Sequence, residues 1–194
     1  MSFNNFNSNW ATVSLGEICS IKGGKRLPKG KQLTTTKTIH PYIKVKDMGE
    51  QKYVSLNSNF EYLDEEVFEN ISRYIVSRDD IIISIVGTVG LIGIIDKSLD
   101  RANLTENCVK LVDIKNVDTN FLYYYLKSHR GEYEIKKGII GSTQPKLPIY
   151  NIQKIMVSYP QIVEQRAIAK VLSGLDKKIE VNNQINDNFI KLVA

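Results

Sequence analysis

The C-terminal part of the sequence is one long run of helix-forming residues that follows Pro160 and contains hardly a turn signal. Apolar residues recur along this run with alternating spacings of four and three, at Ile168, Leu172, Leu175 and Ile179. This spacing is typical of a coiled-coil seam rather than of the wider apolar face of a core helix. A helix over residues 161–194 would be roughly 50 Å long, which is longer than a domain of about 160 residues can cover. The sequence therefore predicts a domain over residues 1–160 and a helical stalk over residues 161–194 that needs a partner along part of its length.

Composition limits the class of protein. The chain has 194 residues, of which 42% are apolar, and a formal net charge of +5. No apolar run approaches the ~20 residues that a membrane-spanning helix needs, and residues 1–7 lack the basic-then-apolar order of a signal peptide. Cys19 and Cys108 are the only cysteines and form no CxxC pair, so neither a disulfide framework nor a zinc site is expected. We therefore expect a cytoplasmic protein with no membrane partner.

Nearly all of the excess positive charge lies before residue 161, and its densest patch is a segment that contains glycine and proline. The cations of this segment, which holds no acid, are Lys22, Lys25, Arg26, Lys29 and Lys31. Glycine and proline predict a loop, in which cations and close backbone approach suit phosphate oxygens. A solvated basic loop without a ligand is an equally good interpretation. A nucleotide-binding P-loop is rejected because the glycine–lysine spacing is one residue too long and Gln32 stands where serine or threonine should hold magnesium.

The sequence between the basic segment and the stalk predicts a mixed, strand-rich α+β domain. A short strand and a turn are predicted over residues 10–18, and β-branched or alternating runs predict strands over 42–46, 80–86, 91–95, 108–112 and 152–157. Helices are predicted over 65–71 and 120–128, and loops over 87–90 and 138–148. The runs on either side of the 87–90 turn predict a hairpin-like pair. The aromatic residues of the second helix indicate core packing rather than a base-stacking platform.

Residues suited to catalysis are scarce. The two histidines, His40 and His129, lie far apart, and no metal-binding spacing such as HExxH is present. Asp79 and Asp80 precede a strand, where a turn cap is a better interpretation than a magnesium site. The sequence also lacks the cofactor loop and Asn-Pro-Pro-Tyr-type motif of an amino-methyltransferase and the PD-(D/E)xK pattern of a nuclease. We therefore expect a binding module rather than an enzyme, with no cofactor and no metal.

Several short motifs become specific when their order and spacing are taken together. They are Leu15-Gly16-Glu17-Ile18, Gly23-Gly24 with Pro28, Tyr42 to Asp47, Asp79 to Ser84 with Gly87-Thr88-Val89-Gly90, Asn103 to Asn107, Gly141 to Lys146, and Pro160 with Glu164-Gln165, Ile168-Ala169 and Leu172. In this order they resemble, nearly end to end, the specificity (S) subunits of type I restriction-modification systems, which supply target recognition. One departure is Glu106, which stands where the family usually has glutamine.

The resemblance implies a half-length form, because the family usually has two target-recognition domains and two conserved helices in one chain. Such a chain would be a natural half-length protein, a truncated allele or an expressed fragment, and residues 192–194 end it in helical pattern without a stop signal. The resemblance also implies binding to double-stranded DNA in a complex with methyltransferase subunits and, through that complex, with restriction subunits. Two stalks paired in an antiparallel coiled coil would make a homodimer that reads a palindromic two-part target.

The predicted seam contains two polar positions, Asn182 and Asn186, before Phe189 and Val193 resume the apolar pattern. A polar seam residue weakens helix pairing but fixes its register and orientation. Alternatively, the two asparagines mark the point at which the stalk turns outward to bind a methyltransferase subunit.

Candidate DNA contacts fall into two groups. The five cations of the basic segment are expected to contact phosphates. Contacts to base edges are expected from Thr88, Ser142, Thr143 and Gln144 on glycine-rich turns, and also from Lys44, Lys46, Arg73, Arg101 and Asn103. Because family members read different sequences, the glycine-rich turns have an alternative interpretation as scaffold. Three other classes stay open: a dimeric DNA-binding regulator, a coiled-coil adaptor unrelated to restriction, and an enzyme with an unfamiliar site.

Overall fold

The computed structural model describes residues 10–193, and within them every side chain except those at 187 and 190–193. The strands are β1 (Ala11–Ser14), β2 (Ser20–Gly23), β3 (Pro41–Ile43), β4 (Tyr53–Val54), β5 (Glu61–Tyr62), β6 (Ile81–Ser84), β7 (Ile92–Ile95), β8 (Asn103–Leu104), β9 (Cys108–Val112) and β10 (Met156–Tyr159). The helices are α1 (Leu15–Ile18), α2 (Glu65–Ile71), α3 (Thr119–Lys127), α4 (His129–Gly138), α5 (Ile149–Ile152) and α6 (Ile162–Val193). Short 3-10 turns cover Val45–Asp47, Ser72–Tyr74 and Lys97–Leu99. No helix in this part of the chain is long and apolar enough to cross a membrane.

The strands form three sheets within the part that precedes α6, which we call the head. The largest sheet has five strands in the order β2-β9-β6-β7-β4, antiparallel except that β4 runs parallel to β7. A three-stranded sheet has the order β5-β3-β8, and β1 pairs with β10. The α+β class with a long C-terminal helix is thereby confirmed. The residues 1–7 that figured in the signal-peptide argument and the Val193 side chain lie outside the described part.

The head's core lies on both faces of the five-stranded sheet. Ile81 and Ile83 of β6 pack into one apolar cluster with α3, and Ile82 packs into a second cluster on the other face. All three isoleucines are fully buried, as a continuous β-branched run predicts for a strand covered on both faces. Phe121 and Tyr125 of α3 are also buried, which confirms that the aromatic residues of this helix pack in the core.

The most periodic segments fold as predicted. The helix over 65–71 and the strand over 108–112 have the predicted bounds, and β6 and β7 form the predicted antiparallel pair. The α2 helix begins at Glu65 because the Asp64 carboxylate accepts the N–H of Val67 at 2.8 Å. These segments carry their signals locally, in periodicity and capping residues.

Three predicted strands have clearly different bounds, and the one predicted over 80–86 covers only Ile81–Ser84. The strand predicted over 42–46 ends at Ile43, because the Asp47 carboxylate accepts the Lys44 N–H at 2.7 Å and caps a 3-10 turn. The strand predicted over 152–157 begins only at Met156, because Pro148 precedes the short helix α5.

Two further segments were assigned wrongly or missed. Lys22 lies in β2, paired with Lys110 of β9, and the basic loop therefore begins after Gly23. The α4 helix was not predicted, although the Ser128 hydroxyl caps it by accepting the Gly131 N–H at 3.3 Å.

The first turns of α6 dock on the head through a buried glutamine. Gln165 is fully buried, and its Oε1 accepts the Asp118 N–H at 2.8 Å. Its Nε2 donates to the carbonyl oxygens of Pro160 at 2.8 Å and Asn116 at 3.2 Å. One side chain thus joins the start of α6 to the N-cap of α3, where the Asp118 carboxylate accepts the Asn120 N–H at 3.0 Å. The glutamine of the Glu164-Gln165 motif is therefore a structural residue.

A polar network holds the next turns of α6. Lys52 Nζ donates to Ser173 Oγ at 2.8 Å and to the Tyr124 hydroxyl at 3.3 Å, and that hydroxyl donates to Asp176 Oδ2 at 2.6 Å. Burial lowers the pKa of Lys52, while the carboxylates of Asp176 and Asp118 oppose the shift. The network fixes the direction in which α6 leaves the head.

The predicted coiled-coil seam divides between the head and solvent. Ile168 is partly buried against the head's core and Leu172 is half-buried, so Ile168 is wrong as a free seam position. Leu175 is 51% and Ile179 58% exposed, and every side chain from 177 to 186 is exposed, including Asn182 and Asn186. The reason is helical geometry, because Ile168 lies within one turn of buried Gln165 and faces the same side. The unpartnered stripe therefore starts near Leu175 and reaches Phe189, which is 63% exposed.

The two cysteines provide a simple test of the fold. Burial raises the pKa of the Cys19 thiol and of the Cys108 thiol to about 12 each. Because the thiolate is the reactive form, we expect the native thiols to react with a disulfide reagent at pH 8 about a thousandfold more slowly than the unfolded chain. The measurement is the release of the chromophoric thiol with and without denaturant. Rapid labelling of both thiols in the native protein would contradict the core described above.

Candidate nucleic-acid interface

Four connecting segments meet at one end of the strands of the five-stranded sheet. The Gly24 N–H, after β2, donates to the carbonyl oxygen of Cys108 at the start of β9, at 3.0 Å. Cys108 also lies opposite Ser84, the last residue of β6. The loop after α4 joins this end through a bridge between Lys146 and Val86. We call this end of the strands the loop edge. It is formed by residues 24–31, 85–91, 104–107 and 139–147.

The β6–β7 turn is held by a buried serine. Ser84 Oγ donates to the Thr88 carbonyl at 2.5 Å and accepts the Leu91 N–H at 2.8 Å. Gly87 and Gly90 have φ of +81° and +90°, which side chains with a Cβ rarely adopt. The serine and glycines therefore form the turn, and they leave the Thr88 side chain exposed.

The loop over 139–147 is a second glycine turn beside the first. Ile140 and Lys146 exchange two backbone hydrogen bonds of 2.9 Å each. Between them Gly141 has φ of +84°, and a Cβ there would lie 2.9 Å from the Gln144 carbonyl oxygen. The exposed side chains at its tip are Ser142, Thr143 and Gln144. The structure thus brings these three candidate residues and Thr88 to the same edge.

The basic segment carries less uncompensated positive charge than its sequence indicates, because acids from distant parts of the chain pair with three of its cations. The pairs are Arg26 with Glu106 at 2.7 Å, Lys31 with Glu66 at 2.5 Å, and Lys22 with Asp113 at 3.8 Å. Lys25 and Lys29 have no ion pair within residues 10–193, and Lys25 lies over the Tyr74 ring at 5.6 Å from its centroid. Exposed ion pairs contribute only about 0–1 kcal/mol, so a phosphate can compete for these cations.

A cleft of about 360 Å³ continues the loop edge, and we call it the basic cleft. Its lining includes Arg26, Lys44, Lys46 and Asn107. Lys44 and Lys46 both pair with Glu61, Lys46 at 2.8 Å. The three cations pair with two carboxylates, Glu106 and Glu61, which leaves a small excess of positive charge beside the basic segment.

Two candidate residues lie elsewhere. Asn103 is fully buried, and its Nδ2 donates to the Ile71 carbonyl at 2.9 Å, so its proposed contact with DNA is wrong. Arg101 follows the end of β7, so it lies at the strand ends opposite the loop edge. Arg73 is exposed next to Tyr74, the ring beneath Lys25. A sequence motif gives residue type and order, but burial depends on which strands pair.

The Asp80 carboxylate and His40, two groups that could suggest chemistry, have structural partners. Asp80 Oδ2 accepts the Ser77 N–H at 2.8 Å, which confirms the turn-cap interpretation, and burial raises the pKa of this carboxyl. His40 stacks on Phe68 with ring centroids 3.7 Å apart and contacts the Glu65 carboxylate at 2.9 Å. Residues 10–193 contain no cluster of three or more His, Cys, Asp or Glu side chains that could hold a metal.

A second cleft contains polar residues that the sequence analysis missed. It has a volume of about 570 Å³, and we call it the polar cleft. The exposed residues that line it at alternate positions are Gln51, Tyr53, Ser55, Asn57 and Asn59. Lys46 lines both this cleft and the basic cleft, so the two lie side by side. The available signal was the run of amide and hydroxyl residues at every second position.

The described part of the chain thus combines a head that carries polar and basic loops with a long helix that carries an exposed apolar stripe. The chain belongs to the family of type I restriction modification DNA specificity domains, whose family model matches residues 7–189.

Individual relatives agree with this family. The chain is 24% identical over 188 residues to the type I restriction enzyme MjaVIII specificity subunit of Methanocaldococcus jannaschii, covering 94% of this chain and 43% of the relative. Its fold is similar to the HsdS subunit of Thermoanaerobacter tengcongensis, with a TM-score of 0.65, 18% identity and coverage of 95% and 42%. It is also similar to a chain of a type I restriction-modification structure that concerns complex assembly, with a TM-score of 0.70, 17% identity and coverage of 94% and 42%. The chain therefore spans less than half the length of these relatives.

Proposed function

We propose that this chain recognises a DNA sequence as a half-length specificity subunit of a type I restriction-modification system. The observation that carries the proposal is the loop edge, where Lys25, Arg26 and Thr88 lie at the same end of the strands as the polar tip of the 139–147 loop. Lys and Arg supply the charge for phosphates, and short polar side chains supply hydrogen bonds for base edges. The chain itself then acts as a non-catalytic recognition subunit, and methyltransferase and restriction subunits carry the chemistry.

The stalk supports a homodimer within this proposal. Leu175, Ile179 and Phe189 are exposed apolar residues on a part of α6 that extends beyond the head. Pairing with a second copy would bury this stripe and place two heads at opposite ends of a two-fold assembly, which suits a palindromic two-part target. Asn182 and Asn186 fix the register of that pair or, alternatively, begin a contact with a methyltransferase subunit.

DNA binding is tested by its dependence on salt and on the free cations. We expect the full chain, assembled with its methyltransferase subunit, to bind duplex DNA with an affinity that falls linearly on a log–log plot against salt. Replacing Lys25 and Lys29 by alanine removes two phosphate contacts and is expected to reduce the magnitude of the slope by about 1.8. The measurement is fluorescence anisotropy of a labelled duplex between low and moderate salt.

The matched control replaces Lys97 and Lys115 by alanine. These two exposed lysines lie at the strand ends opposite the loop edge. This pair lowers the net charge equally but should leave the slope close to that of the unmodified protein. Equal slopes for both double variants would show that general charge, rather than the loop edge, attracts DNA. No binding at any salt would overturn the proposed function.

A further inference from the structure

The chain around β4 presents one polar face to solvent. Gln51, Tyr53, Ser55 and Asn57 are exposed, whereas Lys52 and Val54 between them are buried. Alternate exposure is the pattern of an extended strand, whose successive side chains point to opposite faces. Asn59, on the turn that follows, continues the series. Of the exposed residues in this segment, Gln51, Tyr53, Ser55, Asn57 and Asn59 line the polar cleft, and each carries an amide or a hydroxyl group.

The amide groups on this face have hydrogen-bonding capacity to spare. Within the described part of the chain, no residue hydrogen-bonds to the side-chain amide of Gln51 or Asn59. The Asn57 Oδ1 accepts the Asn59 N–H at 2.8 Å, which holds the turn and uses only one of its acceptor sites. Asparagine and glutamine form bidentate pairs with adenine in the major groove, and hydroxyl groups bond to several bases.

The spacing of this face fits stacked bases. Side chains two residues apart on an extended strand repeat at about 6.7 Å, and two base steps of a duplex rise about 6.8 Å. This repeat applies to the segment around Tyr53–Val54, the part of the face that is a strand. β4 is also an edge strand of the five-stranded sheet, so no neighbouring strand of that sheet blocks its outer side. Strands enter the major groove in several known modes of DNA recognition.

The polar face adjoins the surface assigned to phosphates. Lys46 stands between the two clefts, with Arg26 and Lys44 beyond it in the basic cleft. A duplex whose backbone contacts the basic cleft would have its groove beside Gln51 and Asn59. A neutral polar face next to a positive surface separates reading of bases from attraction of phosphates.

We propose that Gln51, Tyr53, Ser55, Asn57 and Asn59 form a surface that reads base edges in the major groove and sets part of the sequence preference. The proposal rests on the proposed function and assigns it to residues outside the glycine turns. Asn59 and Gln51 are its strongest members because their amides are exposed and uncommitted.

The test compares sequence preferences from a randomised duplex library, bound by the full chain assembled with its methyltransferase subunit. Gln51→Ala combined with Asn59→Ala should reduce discrimination at one or more base positions by about 5- to 100-fold, while the salt dependence stays the same. The single change Asn57→Asp keeps an acceptor for the Asn59 N–H but replaces the amide donor. It should shift a preference from adenine towards cytosine, whose amino group a carboxylate accepts. The matched control is Asn183→Ala with Gln184→Ala, two exposed amides on the stalk.

The outcomes separate this inference from the function on which it rests. If the unmodified protein selects a sequence and the Gln51/Asn59 variant selects the same sequence equally well, the polar face reads no bases and only this inference fails. A variant that loses all DNA binding, nonspecific binding included, would also overturn it, because a base-reading face should not carry the nonspecific affinity. If the unmodified protein selects no sequence, the proposed function and this inference fail together. Thermal unfolding monitored by circular dichroism checks that each variant is folded.

Discussion

Replacing Gln165 by alanine is expected to destabilise the protein by about 2–4 kcal/mol, although the substitution removes no charge and little apolar surface. The side chain is fully buried and makes three hydrogen bonds, to Asp118 N and to the carbonyl oxygens of Pro160 and Asn116. Alanine leaves the Pro160 carbonyl and the partly buried Asp118 N–H without a partner, at about 1–3 kcal/mol each, whereas Asn116 is exposed and can bond to water. The measurement is the free energy of unfolding in urea.

The neighbouring residue of the same motif supplies the control. Glu164 is exposed on the first turn of α6, so Glu164→Ala should change the free energy of unfolding by no more than about 0.5 kcal/mol. Equal effects for the two variants would show that the motif acts through the helix terminus or its charge rather than through the buried glutamine. Gln165→Glu should remain destabilised, because the carboxylate cannot donate to the two carbonyl oxygens.

The second large effect is expected on the stalk. Changing Leu175 and Ile179 together to aspartate should abolish the proposed homodimer and raise its dissociation constant by at least about a hundredfold. Burying each aliphatic side chain in a helix pair contributes about 1.5–3 kcal/mol, and a carboxylate at the same place is costly to desolvate. Light scattering coupled to size-exclusion chromatography should report the mass of a dimer for the unmodified chain and of a monomer for the variant.

Two exposed positions on another face of the same helix give the matched control. Gln184→Asp with Asn188→Asp also adds two acidic residues about one helical turn apart and changes the net charge equally, but outside the apolar stripe. That variant should keep the mass of the unmodified protein. A monomeric mass for the unmodified chain, at concentrations well above micromolar, would contradict the homodimer and favour a stalk that contacts a different subunit.

Those parts of the protein whose signals are local could be predicted from the order of residues alone. The periodicity of residues 65–71 and 108–112 set α2 and β9, and the glycine turn between two β-branched runs set the β6–β7 pair. The helix-forming run after Pro160 set α6, and the order of short motifs set the family. Each of these depends on residues within a few positions of one another, so a pattern along the chain is enough to predict it.

Which candidate residues are available to a ligand depends on how distant segments pack together. Glu106 pairs with Arg26 from 80 positions away, and strand pairing buries Asn103 inside the head. Ile168 carries the seam spacing but packs on the head, because it shares a face with buried Gln165. The polar face of residues 51–59 is exposed because β4 lies at the edge of a sheet. Burial, ion pairing and edge position depend on contacts between distant segments, and no local pattern of residue types contains that information.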